Sequence, residues 1–141
     1  MKFTILPYKS VGPVTFGMTR REVRKALASP VTSFKRAKDD DAETDEFAKL
    51  GVFVEYDADD HAVSVEISEP GEPILESRNL LDMPFAQLKA WARKLDKALE
   101  VDESGFDSPK LGIGVYADIK PGDRTSHPES VIAFGKGYLD D

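Results

Sequence analysis

Phe16-Gly17-Met18-Thr19-Arg20-Arg21-Glu22-Val23-Arg24-Lys25-Ala26-Leu27 is the stretch that decides how this chain is read. Thr19 and Glu22 have the spacing of a capping box, in which the hydroxyl accepts from the Glu22 backbone N–H and the glutamate reaches back. Met18 and Val23 have the spacing of a hydrophobic staple. The pattern predicts a short helix ending near Ala28 and burying Val23, Ala26 and Leu27. Pro30 stops it, because the residue before a proline resists the α region. Arg20, Arg21, Arg24 and Lys25 fall on the remaining faces and read as solvated.

A degraded echo stands at Leu81-Asp82-Met83-Pro84-Phe85-Ala86-Gln87-Leu88-Lys89-Ala90-Trp91-Ala92. It predicts a second helix from about Pro84 to Leu99, with proline in the first turn where its missing N–H has no intrahelical partner. Phe85, Leu88, Trp91, Ala92, Leu95, Ala98 and Leu99 form its apolar stripe. Lys89, Arg93, Lys94 and Lys97 read as a solvated face rather than a basic recognition site.

Between the helices, Leu50 to Tyr56 and Ala62 to Ile67 read as a hairpin, with period-two alternation around the turn Asp57-Ala58-Asp59-Asp60-His61. Val52, Val54 and Tyr56 share one face with Val63, Val65 and Ile67. Phe53, Glu55, Ser64 and Glu66 take the other. Residues 35–46, with Asp39-Asp40-Asp41, read as a polar surface loop. Glu69-Pro70-Gly71-Glu72-Pro73 is a breaker cluster and the best internal boundary. Short strands are expected at residues 2–6 and 74–75, and residues 14–16 read as a short strand or a turn leading into the helix. Val101 to Lys110 reads as a polar turn. Leu111-Gly112-Ile113-Gly114-Val115-Tyr116 echoes Leu50-Gly51-Val52-Phe53-Val54-Glu55-Tyr56. A loop from Lys120 to Pro128 leads to a last strand, Ser130 to Phe134. The expectation is an α+β fold over residues 1–141 as one domain. Two helix-plus-antiparallel-hairpin repeats, about 1–69 and 74–141, would form one sheet with the helices on one face.

Gly17-Met18-Thr19-Arg20-Arg21-Glu22-Val23, with the short helix, Pro30 and the hairpin, resembles the half-unit of the β-lactamase-inhibitor-protein-like fold. Outer-membrane assembly lipoproteins of the BamE/SmpA type share that unit. The match runs through residues 14–68 and more faintly through 80–135. The resemblance implies tandem units and a sheet surface that binds a protein partner, here in a cytosolic bacterial member. Fold alone does not fix function.

Composition narrows the chemistry. The chain has 141 residues, a formal net charge of −7, 40% hydrophobic residues and 32% charged residues. An acidic balance disfavours nucleic acid and anionic membranes and steers in a cationic partner. The absence of cysteine excludes disulfides, thiol nucleophiles and zinc–thiolate sites. The N-terminal stretch lacks the apolar core of a signal peptide, and no window reaches the ~20 apolar residues of a membrane span. A cytoplasmic protein is therefore expected.

No phosphate loop, nucleophile elbow or zincin motif is present. Asp57, Asp59, Asp60 and His61 are the compact group of potential ligands. They also sit where a hairpin needs turn residues, and Ala62 occupies the position where a calcium loop requires glycine. His127 lies apart in a loop. No cofactor or metal is expected. The stronger lead is the sheet face opposite the core. Phe53, Glu55, Glu66, Tyr116 and Phe134 would lie there, an aromatic and acidic surface suited to a protein with a basic surface. The competing reading is that another element, such as the N-terminal segment, covers this face. Two functions stay open. One is a non-enzymatic protein-binding module of inhibitor or immunity type. The other is a small-ligand binder or enzyme using carboxylates near Asp57–His61.

Overall fold

Phe106, Val115, Val131, Ile67, Val52 and Phe47 form one continuous row across six adjacent strands, each residue paired with the next. All six are buried. Strand residues of one parity share a sheet face, so this row defines the inner side of a large sheet.

The computed structural model describes residues 1–139. Its strands are β1 (Lys2–Leu6), β2 (Ser10–Val11), β3 (Val14–Thr15), β4 (Thr32–Phe34), β5 (Thr44–Phe47), β6 (Val52–Tyr56), β7 (Ala62–Ile67), β8 (Glu72–Leu75), β9 (Arg78–Asn79), β10 (Glu100–Asp102), β11 (Gly105–Ser108), β12 (Ile113–Tyr116) and β13 (Ser130–Phe134). Helix α1 (Arg20–Leu27) precedes β4, helix α2 (Phe85–Leu95) precedes β10, and a 3-10 turn spans Leu80–Asp82. The chain is thus a mixed α and β protein with mostly antiparallel strands. One sheet was expected and two are present. The larger has eight strands in the order β10-β11-β12-β13-β7-β6-β5-β4, and the smaller has five in the order β3-β2-β1-β8-β9. The smaller sheet centres on a parallel β1–β8 pair. Its remaining strands, β2, β3 and β9, have two residues each, too short for an alternation to register.

Helix α1 forms as its sequence dictates. Thr19 Oγ1 accepts from the Glu22 N–H at 3.2 Å, and the Thr19 N–H donates to Glu22 Oε1 at 3.0 Å. Ala28 closes the helix in the left-handed region and donates its N–H to the Arg24 carbonyl. Val23 and Leu27 are buried, but Ala26 is exposed, so the buried stripe is narrower than expected. Helix α2 stops at Leu95, short of the expected Leu99. Asp96 caps it and turns the chain into β10, which leaves Ala98 exposed. Phe85 of α2 meets Phe106 of the inner row with ring centroids 5.9 Å apart. Buried apolar residues from both helices and both sheets share one cluster, and Ile132 and Phe134 of the outer face are not part of it.

Other departures have local causes. The stretch read as a polar turn, Val101 to Lys110, holds strands β10 and β11, whose pairing onto β12 supplies the order that its composition lacks. The loop read over residues 35–46 ends early, because Thr44 and Asp45 already belong to β5 and are buried. A bulge at Glu55/Tyr56 breaks the β6–β7 register, pairing Tyr56 with Ala62. Ala62 takes the core position expected for Val63, since the extra residue of a bulge shifts side-chain parity. Two Leu-Gly steps occupy matching places. Ser68 donates its N–H to the Gly51 carbonyl at 2.8 Å, and Phe134 donates its N–H to the Gly112 carbonyl at 3.0 Å. Both glycines have positive φ, +72° and +65°.

Candidate functional site

The face of the large sheet opposite the core carries a second continuous row: Glu100, Asp107, Gly114, Ile132, Glu66, Phe53, Glu46 and Thr32. Both helices reach the inner side, α1 through its arginines on Asp45 and α2 through Phe85 on Phe106. Four of the eight row positions are carboxylates. The five residues expected to form one surface divide into two groups.

Phe53, Glu66 and Tyr116 stay together. Phe53 and Glu66 are cross-strand partners, and Glu66 Oε2 accepts from the Ser130 hydroxyl at 3.0 Å. Ser130 pairs in turn with Tyr116, a residue that is 46% exposed. Phe34 meets Phe53 edge-on with centroids 6.0 Å apart. Arg36 lies over the Phe53 ring at 4.7 Å and donates to Glu66 Oε1 at 3.0 Å. Burial, with the nearby charges of Asp107, Glu66 and Glu55, pushes the Tyr116 hydroxyl above its ordinary pKa. Burial and repulsion from Asp102 and Glu100 likewise push Asp107 up. Gly114 admits this crowding: a Cβ there would lie 2.6 Å from Asp107 Oδ1 and 3.0 Å from Ile132 Cγ2.

Glu55 and Phe134 belong to a covered corner. Phe134 is 1% exposed. Tyr138 stacks on it with centroids 5.1 Å apart, and Tyr8 of the N-terminal segment meets it edge-on at 5.9 Å. Glu55 Oε1 accepts from Tyr138 and Ser64 hydroxyls, both at 2.6 Å. Phe134 is therefore a packed residue rather than a surface contact. The N-terminal segment covers part of the face, and the Phe53–Tyr116 part lies beyond it, with Tyr116 exposed and Phe53 half-buried beneath Arg36.

Beside this corner is an open cleft of about 550 Å³ lined by residues including Phe16, Asp41, Glu55, Asp57, His61 and Tyr138. Asp57, Asp59 and His61 offer ligand atoms within 4.8 Å of one another. The Asp57 carboxylate already has work in the turn, where Oδ1 accepts from the Asp59 and His61 N–H groups at 3.0 and 2.9 Å. Asp60 is held by Arg20 through two bonds of 3.0 Å. His127 stands elsewhere, with Nδ1 at 2.9 Å from the Leu81 carbonyl oxygen, which requires the proton on Nδ1.

Local reading missed the strongest polar constellation. Asp45 is fully buried and accepts from Arg20 (2.8 Å), Arg24 (2.7 and 2.9 Å), Ser33 (2.7 Å) and Tyr56 (2.9 Å). Burial pushes its carboxyl up, but the bonds from Arg24, Ser33 and Tyr56 and the Arg20 charge outweigh that and hold it below the usual range. Burial also lifts the Tyr56 hydroxyl far above its ordinary value, with the Asp45 charge adding to it. Every strong acceptor site here is met by a donor within the chain, so the cluster reads as a tie between helix and sheet.

Among the described residues no helix is long and apolar enough to cross a membrane. Compared with protein-family models, curated proteins and solved structures, the chain matches none.

Proposed function

We propose that this protein is a non-enzymatic binding module that grips a basic protein through the open part of the outer sheet face. The observation that carries this reading is the acidic row with Phe53 on it and Tyr116 beside it on the same face, on the side away from both helices. Aromatic anchors among polar groups are the usual make-up of binding hot spots. The net charge of −7 favours fast encounter with a cationic partner. An inhibitor or immunity-type role suits a chain whose carboxylates and aromatics converge on a surface.

We read the large sheet as two copies of one unit, each a helix followed by a four-strand meander, joined through β7 and β13. The matching Leu-Gly steps and the two helix positions support this. It is the organisation that the resemblance to the β-lactamase-inhibitor-protein-like fold implies.

Affinity capture from an extract of the source organism tests the binding role. The wild type should retain a basic protein, and Phe53→Ala with Tyr116→Ala should lose it. Unchanged capture by the folded double variant would overturn the assignment. A second reading rests on the cleft beside Asp57, whose size suits a small ligand. Its carboxylates favour an amine. Saturable binding of spermidine by calorimetry, lost in Asp41→Asn with Glu55→Gln, would support that reading instead.

A further inference from the structure

Arg36 shows what the open face accepts. Its guanidinium lies 4.7 Å from the Phe53 ring centroid and 3.0 Å from Glu66 Oε1, so one planar cation uses an aromatic face and a carboxylate together. Arginine suits such a place because it stacks on aromatic rings while its fork donates to carboxylates. The arrangement is weakly held. Arg36 belongs to the segment between β4 and β5, its side chain is one-third exposed against 17% for Glu66, and an ion pair with one partner reached by solvent contributes modestly. One cation does not balance the surroundings. The adjoining hollow, of about 540 Å³, is lined by Glu66, Glu103, Asp118 and Glu129 together with Tyr116 and Ser130, and no lysine or arginine lines it.

We propose that Arg36 is a displaceable placeholder, and that the face receives an arginine of a basic partner protein in its stead, stacked on Phe53 and bonded to Glu66. This deepens the binding-module reading and rests on it. The partner's arginine takes over a geometry the chain already forms with its own side chain. The hollow beside Tyr116 supplies the uncompensated negative charge that favours the incoming cation over Arg36. Releasing Arg36 costs a weak surface contact, whereas the incoming arginine brings the rest of an interface with it.

The test uses the blocked peptide acetyl-Gly-Arg-Gly-amide and its citrulline isostere, which keeps the shape and removes the charge. Each is titrated into the isotopically labelled full chain and followed by backbone amide shifts. The arginine peptide should move the Phe53 and Glu66 amides, and the citrulline peptide should not. Arg36→Ala should tighten binding roughly three- to tenfold. Lys38→Ala makes the same change in net charge at an exposed position in the same segment and should leave binding within twofold. Glu66→Gln should weaken it at least fivefold. Equal tightening by Arg36→Ala and Lys38→Ala would overturn the proposal, as would equal shifts from citrulline. If those results came with capture that still depends on Phe53 and Tyr116, the binding module would stand and the arginine exchange alone would fall.

Discussion

Arg24 donates to both oxygens of the fully buried Asp45, Nη2 at 2.7 Å from Oδ1 and Nε at 2.9 Å from Oδ2. This fork ties α1 to β5. Arg20 adds a bond at 2.8 Å and stacks its guanidinium 4.0 Å from the Tyr56 ring centroid. A buried carboxylate with two arginines is not strong evidence of net stabilisation, because desolvation offsets the attraction. Removing one partner is different, since it strands the other charges. Asp45→Ala should therefore lower unfolding free energy by about 3–5 kcal/mol. Asp45→Asn should cost less, because the amide oxygen still accepts one arginine bond. Urea denaturation of both variants checks the order.

Acid should weaken the same tie. The folded pKa of Asp45 lies below its unfolded value of about 3.9. The unfolded chain therefore takes up the proton first as pH falls. Stability from Asp45 is complete above the unfolded value and is lost as pH drops through the folded one. Asp60, whose carboxyl is lowered by its bonds from Arg20, acts in the same sense. So does Asp96. There burial pushes upward, but bonds from Ser108, Lys110 and Ala98 outweigh it. Asp107 runs the other way. Its raised folded pKa makes its ionised form a liability at neutral pH that protonation relieves. Stability measured from pH 7 down to pH 3 should fall for the wild type. The gap between wild type and Asp45→Asn should shrink over the same range. A constant gap would show that the Asp45 charge does not contribute.

How much of this the sequence disclosed depends on the reach of each contact. Thr19, Glu22, Met18, Val23 and Pro30 act within a few residues of one another, so α1 was legible almost to its ends. Arg20 and Arg24 read as solvated because their partner lies 25 and 21 residues away. Nothing in Thr44-Asp45-Glu46-Phe47 marks the second residue as buried. Strands β10 and β11 were missed because Glu100 to Ser108 shows no alternation, and only pairing onto Ile113–Tyr116 orders it. The outer face was legible in parity, since Phe53, Glu66, Tyr116 and Phe134 do share it. Its cover by the N-terminal segment stood only as the competing reading, and Tyr8 does reach Phe134; the share of Tyr138 was not legible, because that contact forms from outside the large sheet. Arg36 was missed for the same reason: it meets Glu66 across 30 residues.

The Leu50-Gly51 step makes a prediction about backbone. Gly51 has φ +72°, and a Cβ added there would collide with the Ser68 carbonyl oxygen, which belongs to the chain just beyond β7. Gly122 has φ +83° and open space where its Cβ would lie. Gly122→Ala should therefore cost only the left-handed penalty of about 1–2 kcal/mol. Gly51→Ala should cost more, because the steric clash is with backbone that cannot swing aside. Thermal unfolding of the two variants side by side gives the comparison. Equal losses would mean that the β6–β7 end relaxes freely.

Tyr138 carries two separable roles at the covered corner, and two substitutions resolve them. Its ring stacks on Phe134 at an interplanar angle of 14°, and its hydroxyl donates to Glu55 Oε1 at 2.6 Å. Burial and that carboxylate together raise the hydroxyl pKa, so it remains a donor throughout the neutral range. Tyr138→Phe keeps the stack and drops the donor. Because Glu55 retains the Ser64 hydroxyl, the expected loss is about 1 kcal/mol. Tyr138→Ala also removes an aromatic pair, with a further contribution of about 0.5–1.5 kcal/mol, and strips cover from the otherwise buried Phe134. It should therefore destabilise more than Tyr138→Phe and increase binding of an apolar dye. The amide shifts of Phe53 and Tyr116 should stay near their wild-type positions, since those residues occupy the open part of the face. Large shifts at Phe53 or Tyr116 in Tyr138→Ala would show that corner and open face are one mechanical unit, and that Phe134 contributes to binding after all.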